Sequence, residues 1–515
     1  MTPLIEQDFG LITDLIHQHA VDAPQRPALM EGSQTLSYAG LDALMDRIAA
    51  SLQREGLTSG DAIAICASMS VDYAALFLGA LRAGVVVAPL APGSTPDSLA
   101  RMVSDCRARL LFMDAPGALT LAAAQHAPSG IPLVALDNSA AGTPFHSWLV
   151  PPCTQPAAVQ IGPDAAFNII YSSGTTGEPK GIVQPHGMRW AHVRRGRTYG
   201  YGPQAVTLLS TPLYSNTTLV VFFPTLAFGG TVALMPKFDA DAYLQLAQSL
   251  RVTHTMLVPV QYQRLMARDG FDAHDLSSFH MKFSTSAPFS QAVKADVLRR
   301  WPGGLVEFYG MTEGGGTCIL EAHLHPDKLH TVGRPAEGHD IRLIDDDGRE
   351  LPAGQTGEVV GHSPGMMTGY YGRPEQTRDA EWFAPDGKRF IRTGDVGRFD
   401  DEGFLTLMDR KKDMIISGGF NIYPSDLEAV LREHPDVADV AVVGIPSEQW
   451  GETPVAFVVP RAGAQAQALL LQDWANQRVG KTQRLSALHL VDELPRSPIG
   501  KILKRELRER VDAAG

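Results

Sequence analysis

Apolar residues recur at helical spacing at Leu11, Ile12, Leu15 and Ile16, with His19 in phase, and again at Leu41, Leu44, Ile48 and Leu52 before Gly56. Short unbroken apolar runs at Ala62–Ala67, Val85–Pro89 and Leu110–Met113 read as buried strands, separated by helices predicted over Tyr73–Leu81 and 97–107. Strand–helix–strand alternation of this length predicts an α/β chain with helix-covered, mostly parallel sheets. A mixed α+β layer is the alternative that the pattern leaves open. The stretch 151–163 is rich in proline and polar residues and reads as a linker, and a second alternating block runs over about 165–330. The rhythm then changes to short strands, Asp340–Ile344, Gly357–Gly361 and Phe404–Met408, with Asp-Gly turns at Asp345–Gly348 and Asp400–Gly403 that suggest hairpins. The charged segment Asp409–Asp413 interrupts the apolar pattern. Beyond it Pro424 opens a helix carrying Leu427, Val430 and Leu431. Strands Val440–Ile445 and Pro454–Val459 follow, with helices over 467–478 and 501–511. The expected division is a large domain over 1–410 and a small α/β domain over 411–515.

Composition narrows the class. The chain has 515 residues, beyond the size at which one core usually stops growing, so at least two domains are expected. Hydrophobic residues make up 44% and charged residues 19%, a globular composition that excludes a mainly disordered chain. The net charge of −12 argues against nucleic acid as a partner. Cys66, Cys106, Cys153 and Cys318 lie far apart, with no C-x-x-C pair for zinc or redox work. The start, MTPLIEQDFG, lacks the basic and apolar regions of a signal peptide, and the apolar stretch Leu219–Met235 is broken by Pro224, Gly229 and Gly230. A cytoplasmic protein without a membrane span is expected. Oligomeric state is left open, with a homodimer among the states allowed.

The densest local signal is Tyr171–Gly181, YSSGTTGEPKG, directly after the apolar strand Phe167–Ile170. Gly174, Gly177 and Gly181 permit a tight loop with inward N–H groups, Ser172, Ser173, Thr175 and Thr176 add hydroxyls, and Lys180 adds charge. This is an inventory for gripping a polyphosphate, with a solvated turn as the bland alternative. It is not a Walker A loop, and no G-x-G-x-x-G opens a helix as a dinucleotide fold requires.

Four further motifs join it in order: YGMTEGG (Tyr309–Gly315), RTGD (Arg392–Asp395), DRKKDMIISGGFNIYPSDLE (Asp409–Glu428) and PRSPIGKILKREL (Pro495–Leu507). Together they resemble the adenylate-forming superfamily of acyl-CoA synthetases, luciferases and peptide-synthetase adenylation domains, over nearly the whole chain. The resemblance implies a small β-barrel-like part within the large domain and a mobile C-terminal domain with its hinge at Lys412. It implies that Ser172, Ser173, Gly174, Thr175, Thr176, Gly177, Lys180, Ser286, Ala287, Pro288, Glu307, Phe308, Tyr309, Gly310, Met311 and Thr312 bind ATP or AMP. Tyr309 would stack on adenine, Thr312 would contact the α-phosphate, and Glu313 would ligate Mg²⁺. Asp395, whose alternative role is an Asx-turn acceptor, would take the ribose hydroxyls, and Arg410 would reinforce it. Lys501 would enter the site during adenylation, with Thr312 and Glu313 as its catalytic companions. Lys504, Arg505, Arg508 and Arg510 read as a solvated, salt-bridged helix face. Gly418, Gly419 and Phe420 would line the pantetheine path, with an ordinary turn as the alternative.

Tyr214, Ser215, Asn216 and Thr217 would lie at the acyl pocket. Here the chain departs from the family pattern, with Ser215 where a gating histidine often stands. Tyr214–Phe223 contains no acid to pair with an ammonium, so an α-amino acid is disfavoured, and Leu219–Phe223 suggest an apolar acyl group or plain helix core. The expected activity is that of an acid–CoA ligase using ATP, Mg²⁺ and coenzyme A on an aromatic, medium-chain or alicyclic carboxylic acid. A ligase loading a carrier-protein pantetheine is the nearest rival, ahead of a luciferase-like oxygenase and a non-catalytic nucleotide sensor.

Overall fold

Buried apolar strands and one unusually apolar pair of helices organise the chain in a computed structural model that describes residues 4–137, 139–173, 179–410, 413–417, 420–447, 450–497 and 500–512. It divides into two compact units. The first holds the residues through Leu329, Ala336–Asp340 and His362–Ile391, and the second holds His330–Pro335, Ile341–Gly361 and the residues from Arg392 onward. By their contacts the compact units part at 391/392, ahead of the charged run. The physical reason is strand pairing. Arg389–Phe399 and Leu405–Arg410 form an antiparallel hairpin around the Asp400–Gly403 turn, and Thr393 Oγ1 bonds the carbonyl of Val359.

In the first unit one sheet runs, in spatial order, Thr317–Glu321, Gly304–Gly310, Met281–Ser284, His254–Leu257, Val206–Leu209, Thr231–Leu234, Pro27–Glu31 and Gln34–Ser37. Its six inner strands are parallel, and the two outer hairpins are antiparallel. The other sheet places Ala62–Cys66 between Val86–Pro89 and Leu110–Met113, all parallel, with Ala166–Ser173 next to Val86–Pro89 and paired antiparallel to Pro179–Pro185. The alternation read from the sequence is therefore the architecture.

Two helices fill the core between these strands. Helix Val71–Arg82 is capped by Ser70, whose hydroxyl accepts from Tyr73 N–H at 3.1 Å, and Val71 and Tyr73–Leu81 are all buried. A Cβ on Gly79 would come within 2.6 Å of Ile48, so this glycine permits the close approach of helix Tyr38–Arg54. Helix Asn216–Ala227 is apolar all round and buried. Leu219, Val221, Phe222 and Phe223 are core residues, and Phe223 packs against Phe77 and Phe167 at 5.7 and 5.1 Å. These side chains are part of the core, one of the two roles that the sequence left open for them.

In the second unit Val437–Ser447 and Gly451–Pro460 form a long antiparallel ribbon, flanked by Ile415–Ser417 and, in parallel, by Ala487–Leu490. One face of the ribbon packs Leu427 and Leu431 of helix Pro424–Arg432 and Leu471 of helix Ala468–Asn476, and the other packs Leu507 of the last helix, Lys504–Asp512.

Candidate active site

Strand Pro179–Pro185 carries Lys180 to the neighbourhood of Tyr370, with Nζ 5.1 Å from the ring centroid. The Tyr370 hydroxyl donates to Glu313 Oε1 at 2.9 Å, and Met367 N–H donates to the Glu313 carbonyl at 2.8 Å. Burial pushes the Tyr370 phenol up, and the Glu313 carboxylate beside it adds to the shift, so the phenol stays protonated and holds the carboxylate in place. A cation, a hydroxyl and a carboxylate thus converge from segments far apart in sequence. Gly314, at φ +74°, closes this turn against the Gly365 carbonyl where no side chain fits.

The neighbouring Thr312 carbonyl accepts from Gln184 Nε2 at 2.6 Å. Ser286 sits at φ +81°, a strained setting for serine. Its hydroxyl bonds Thr217 Oγ1, which ties the segment holding Ala287 and Pro288 to the start of helix Asn216–Ala227. Asn216 Oδ1 lies 3.5 Å from Gln184 Nε2. Ser215 is buried at the N-cap of that helix without capping it, and Tyr214 is half-buried, its phenol pushed up to about 12 by burial and the nearby Cys66.

Two of the residues expected at the nucleotide have side chains that contact the rest of the fold. On strand Gly304–Gly310, Glu307 is buried and its carboxylate pairs with Lys294 of helix Gln291–Arg300. Burial raises the Glu307 pKa and Lys294 opposes the shift. The Phe308 ring points to the opposite face, stacked on Phe283 at 5.6 Å and edge-on to Tyr199 at 5.9 Å. The fold engages both side chains, Glu307 through its ion pair and the half-buried Phe308 through ring packing. Tyr309 alternates back to the Glu307 face, with Cys318 opposite it in register and Gly310 and Met311 following.

In the second unit Asp395 lies in a strand and not in the Asx turn that was its alternative, directly across from Arg410. Its N–H donates to Thr393 Oγ1 at 3.0 Å, and Arg392 is held bidentate by the buried Glu358. Lys501 is exposed in a tight turn before the last helix, where its carbonyl accepts from Ser497 N–H at 2.8 Å and its N–H donates to Ser497 Oγ at 3.2 Å. Lys504 is not the solvated surface residue expected. Its Nζ lies 3.0 Å from the buried Glu428 Oε1, because the ribbon Val437–Ser447 packs over this end of the helix.

Gly174, Thr175, Thr176, Gly177, Lys412, Gly418 and Gly419 lie outside the described residues, as do the side chains of Ser172, Ser173, Arg410 and Phe420. The sequence reading missed Tyr370, Gln184 and the buried Arg189 that bonds Gln184. The Gly-Tyr-Tyr-Gly run at 369–372 is a faint local hint of the first, and nothing local marks the other two. Among the described residues no group of three His, Cys, Asp or Glu could hold a metal ion. A single carboxylate at Glu313 fits a Mg²⁺ ion that phosphates bring with them. No helix among the described residues is long and apolar enough to cross a membrane.

The chain matches the model of AMP-binding enzymes over residues 16–371 and that of the AMP-binding enzyme C-terminal domain over residues 426–501. It is 33% identical over 512 residues to an indoleacetate–CoA ligase of Aromatoleum aromaticum, covering 97% of this chain and 98% of that one. It is 31% identical over 510 residues to the fatty acid–[acyl-carrier-protein] ligase ScoC of Streptomyces coeruleorubidus, covering 96% and 95%. Among solved structures it superposes on ATP-bound MatB from Rhodopseudomonas palustris with a TM-score of 0.87 at 28% identity, over 98% of this chain and 99% of that one. With the expected motifs on the expected scaffold and both family models matched in order, the chain belongs to the adenylate-forming AMP-binding enzymes.

Proposed function

We propose that the chain is an AMP-forming acid–CoA ligase. The observation that carries this reading is the convergence of Lys180, Tyr370 and Glu313 beside Thr312, a set suited to a polyphosphate and its cation. In the first step a carboxylate oxygen of the acid attacks the α-phosphorus of ATP, the bond to the β-phosphate breaks, and pyrophosphate leaves. Lys180 and the Ser172–Gly177 loop bind the phosphates, Tyr309 stacks on adenine, and Asp395 with Arg410 holds the ribose. Thr312 orients the α-phosphate, and Lys501 stabilises the charge that develops there. Glu313, oriented by the Tyr370 hydroxyl, would hold Mg²⁺, which neutralises phosphate charge when bound. In the second step the CoA thiol attacks the acyl carbonyl, its proton is lost, the C–O bond to phosphate breaks and AMP leaves. The domain 411–515 turns about Lys412 between the steps and brings Gly418, Gly419 and Phe420 to the pantetheine arm. This reading places the enzyme in the cytoplasm with its ATP and CoA.

A CoA acceptor is supported by relatives that are CoA ligases, and a carrier-protein acceptor by the similarity to the carrier-protein ligase. Pyrophosphate release measured over a panel of carboxylic acids, with CoA or with a pantetheinylated carrier protein, separates the two. The ligase reading expects release with unaminated acids and an acyl-CoA product. Thioester on the carrier alone would select the rival, and turnover of leucine or phenylalanine at comparable rates would refute the argument from the acid-free 214–223 segment.

A further inference from the structure

Arg189, on helix His186–Arg195, is 1% exposed. Its Nη2 donates to Gln184 Oε1 and to Asn168 Oδ1, the latter at 3.4 Å. Its Nε and Nη1 find no acceptor among the described residues, and neither does Nδ2 of the buried Asn168. The guanidinium faces the rings of Phe167 and Phe223 at 5.7 and 6.0 Å. Burial pulls its pKa down to about 9, and no carboxylate offsets the shift, yet the group still carries its charge at neutral pH. One turn further along the helix, burial holds His192 neutral, helped by Arg195, Arg189 and His339, and its Nδ1 also lacks a partner among the described residues. Basic groups therefore face one another here without an acid between them among the described residues.

An uncompensated guanidinium in an apolar core is destabilising, and orphaned donors add to that cost. Two other buried cations of this unit are satisfied: Lys294 pairs with Glu307, and Lys282 donates to the carbonyls of Trp301, Pro302 and Gly303. Arg189 has instead a route to the reaction site. Gln184, which accepts from it, donates to the Thr312 carbonyl at 2.6 Å and lies 3.5 Å from Asn216 Oδ1. The unmet donors thus stand one side chain behind the groups proposed to hold the α-phosphate and the acyl group, with the Phe167 and Phe223 rings beside the guanidinium.

We propose that the acid substrate carries a second carboxylate, at the end remote from the one that is adenylated, and that Arg189 and Asn168 receive it while Phe167 and Phe223 pack the apolar part between. The inference rests on the ligase reading and deepens it. It replaces a wholly apolar acid with a diacid whose middle is apolar.

The test compares matched pairs, octanoate with octanedioate and 4-phenylbutanoate with 4-(4-carboxyphenyl)butanoate, by pyrophosphate release. The wild type is expected to prefer the diacid of a pair by at least about tenfold in kcat/KM, and Arg189→Met to lower the diacid-to-monoacid ratio by about a hundredfold. Arg189→Lys should restore part of that ratio, which a merely structural role would not do. Asn168→Leu should lower it less, and it carries the test should Arg189→Met fail to fold. A wild type that prefers the monoacids, or variants that leave the ratio unchanged, would overturn the proposal and leave the ligase intact. Absence of pyrophosphate with every acid would sink the ligase reading instead. Thermal denaturation then still decides, because the diacids should raise the Tm of the wild type and not of Arg189→Met, and no rise would overturn the assignment of Arg189.

Discussion

Arg189 in the first unit and Glu428 in the second are both buried charges, and their surroundings differ in kind. Glu428 Oε1 accepts from Val442 N–H at 2.9 Å and lies 3.0 Å from Lys504 Nζ, while Oε2 lies 3.2 Å from Arg432 Nη2. Burial alone would push its carboxyl up, but Lys504, Arg432 and the Val442 N–H together outweigh it and hold the pKa below the ordinary value. Arg189 has neutral partners on one nitrogen and none among the described residues on the other two. Both sites took a charge out of water. One balanced it within the fold and serves as a fastening between helices and ribbon. The other left it unbalanced, which folding alone does not explain.

The largest effect expected from this contrast is on stability in the second unit. Glu428→Ala leaves Lys504 facing the core without its carboxylate and should cost about 3–5 kcal/mol in a denaturant titration. The pH dependence has a definite sign. The folded pKa of Glu428 lies below its ordinary 4.5, so its contribution is fully present above that value and is lost as pH falls through the folded pKa. Wild type and Glu428→Ala should therefore converge in stability as acid is added below about pH 4.5. A gap that persists unchanged in acid would mean that packing, and not charge, is what the site contributes.

Lys501 and Lys504 sharpen the comparison from within one segment, three residues apart. Lys501 is exposed in its turn, and Lys504 is turned inward on Glu428. Lys501→Ala should lower pyrophosphate release by about 10²–10³ while the denaturation curve stays within about 0.5 kcal/mol of the wild type. Thioester formation from supplied acyl-AMP should survive, because the proposed turn of the small domain has by then carried Lys501 away. Loss of both half-reactions together would refute the two-conformation mechanism. The next effect is smaller and opposite in sign to that of Glu428→Ala. Without ligand, Arg189→Met should be neutral or stabilising by about 1–4 kcal/mol, since it replaces an unbalanced charge with a flexible apolar chain. A clear loss of stability there would erase the contrast between the two units.

Much of this fold was legible in the sequence because its strands are buried on both sides and read as unbroken apolar runs. Ala62–Cys66, Val86–Pro89 and Leu110–Met113 appear almost where the pattern puts them. The turn at Asp400–Gly403 was equally plain, because Gly403 takes φ +80°. What failed to show were the consequences of long-range packing. The segment HGMRWAHVRR has the composition of a solvated basic helix, yet Arg189 faces the core and Arg194 faces water. Tyr370 meets Glu313 only because strand Gly369–Tyr370 adds to the edge of Pro179–Pro185, a pairing no local pattern encodes. The apolar run Leu219–Phe223 left acyl wall and helix core open as alternatives, and only the fold shows Leu219, Val221, Phe222 and Phe223 buried in the core.

Ser215 provides the smallest effect and the finest cut between the two kinds of buried polar group. It too is buried in the first unit, 7% exposed, and it stands where a gating histidine often does in the family it resembles. Its backbone starts helix Asn216–Ala227, with Thr218 N–H donating to its carbonyl at 3.1 Å, but its hydroxyl does not cap the helix. Ser70, by contrast, caps helix Val71–Arg82 through its side chain. Ser70→Ala should therefore cost about 1 kcal/mol, and Ser215→Ala only a few tenths. A serine has no ring to swing into an acyl tunnel, so Ser215→Ala should also leave both half-reactions within about tenfold, or ~1.4 kcal/mol. Unlike Arg189, it should leave the ratio of diacid to monoacid turnover unmoved. If Ser215→Ala shifted that ratio as strongly as Arg189→Met, burial of a polar group in this region would mark the whole acyl wall and not one anion-receiving residue. The contrast between balanced and unbalanced charge would then no longer single out Arg189.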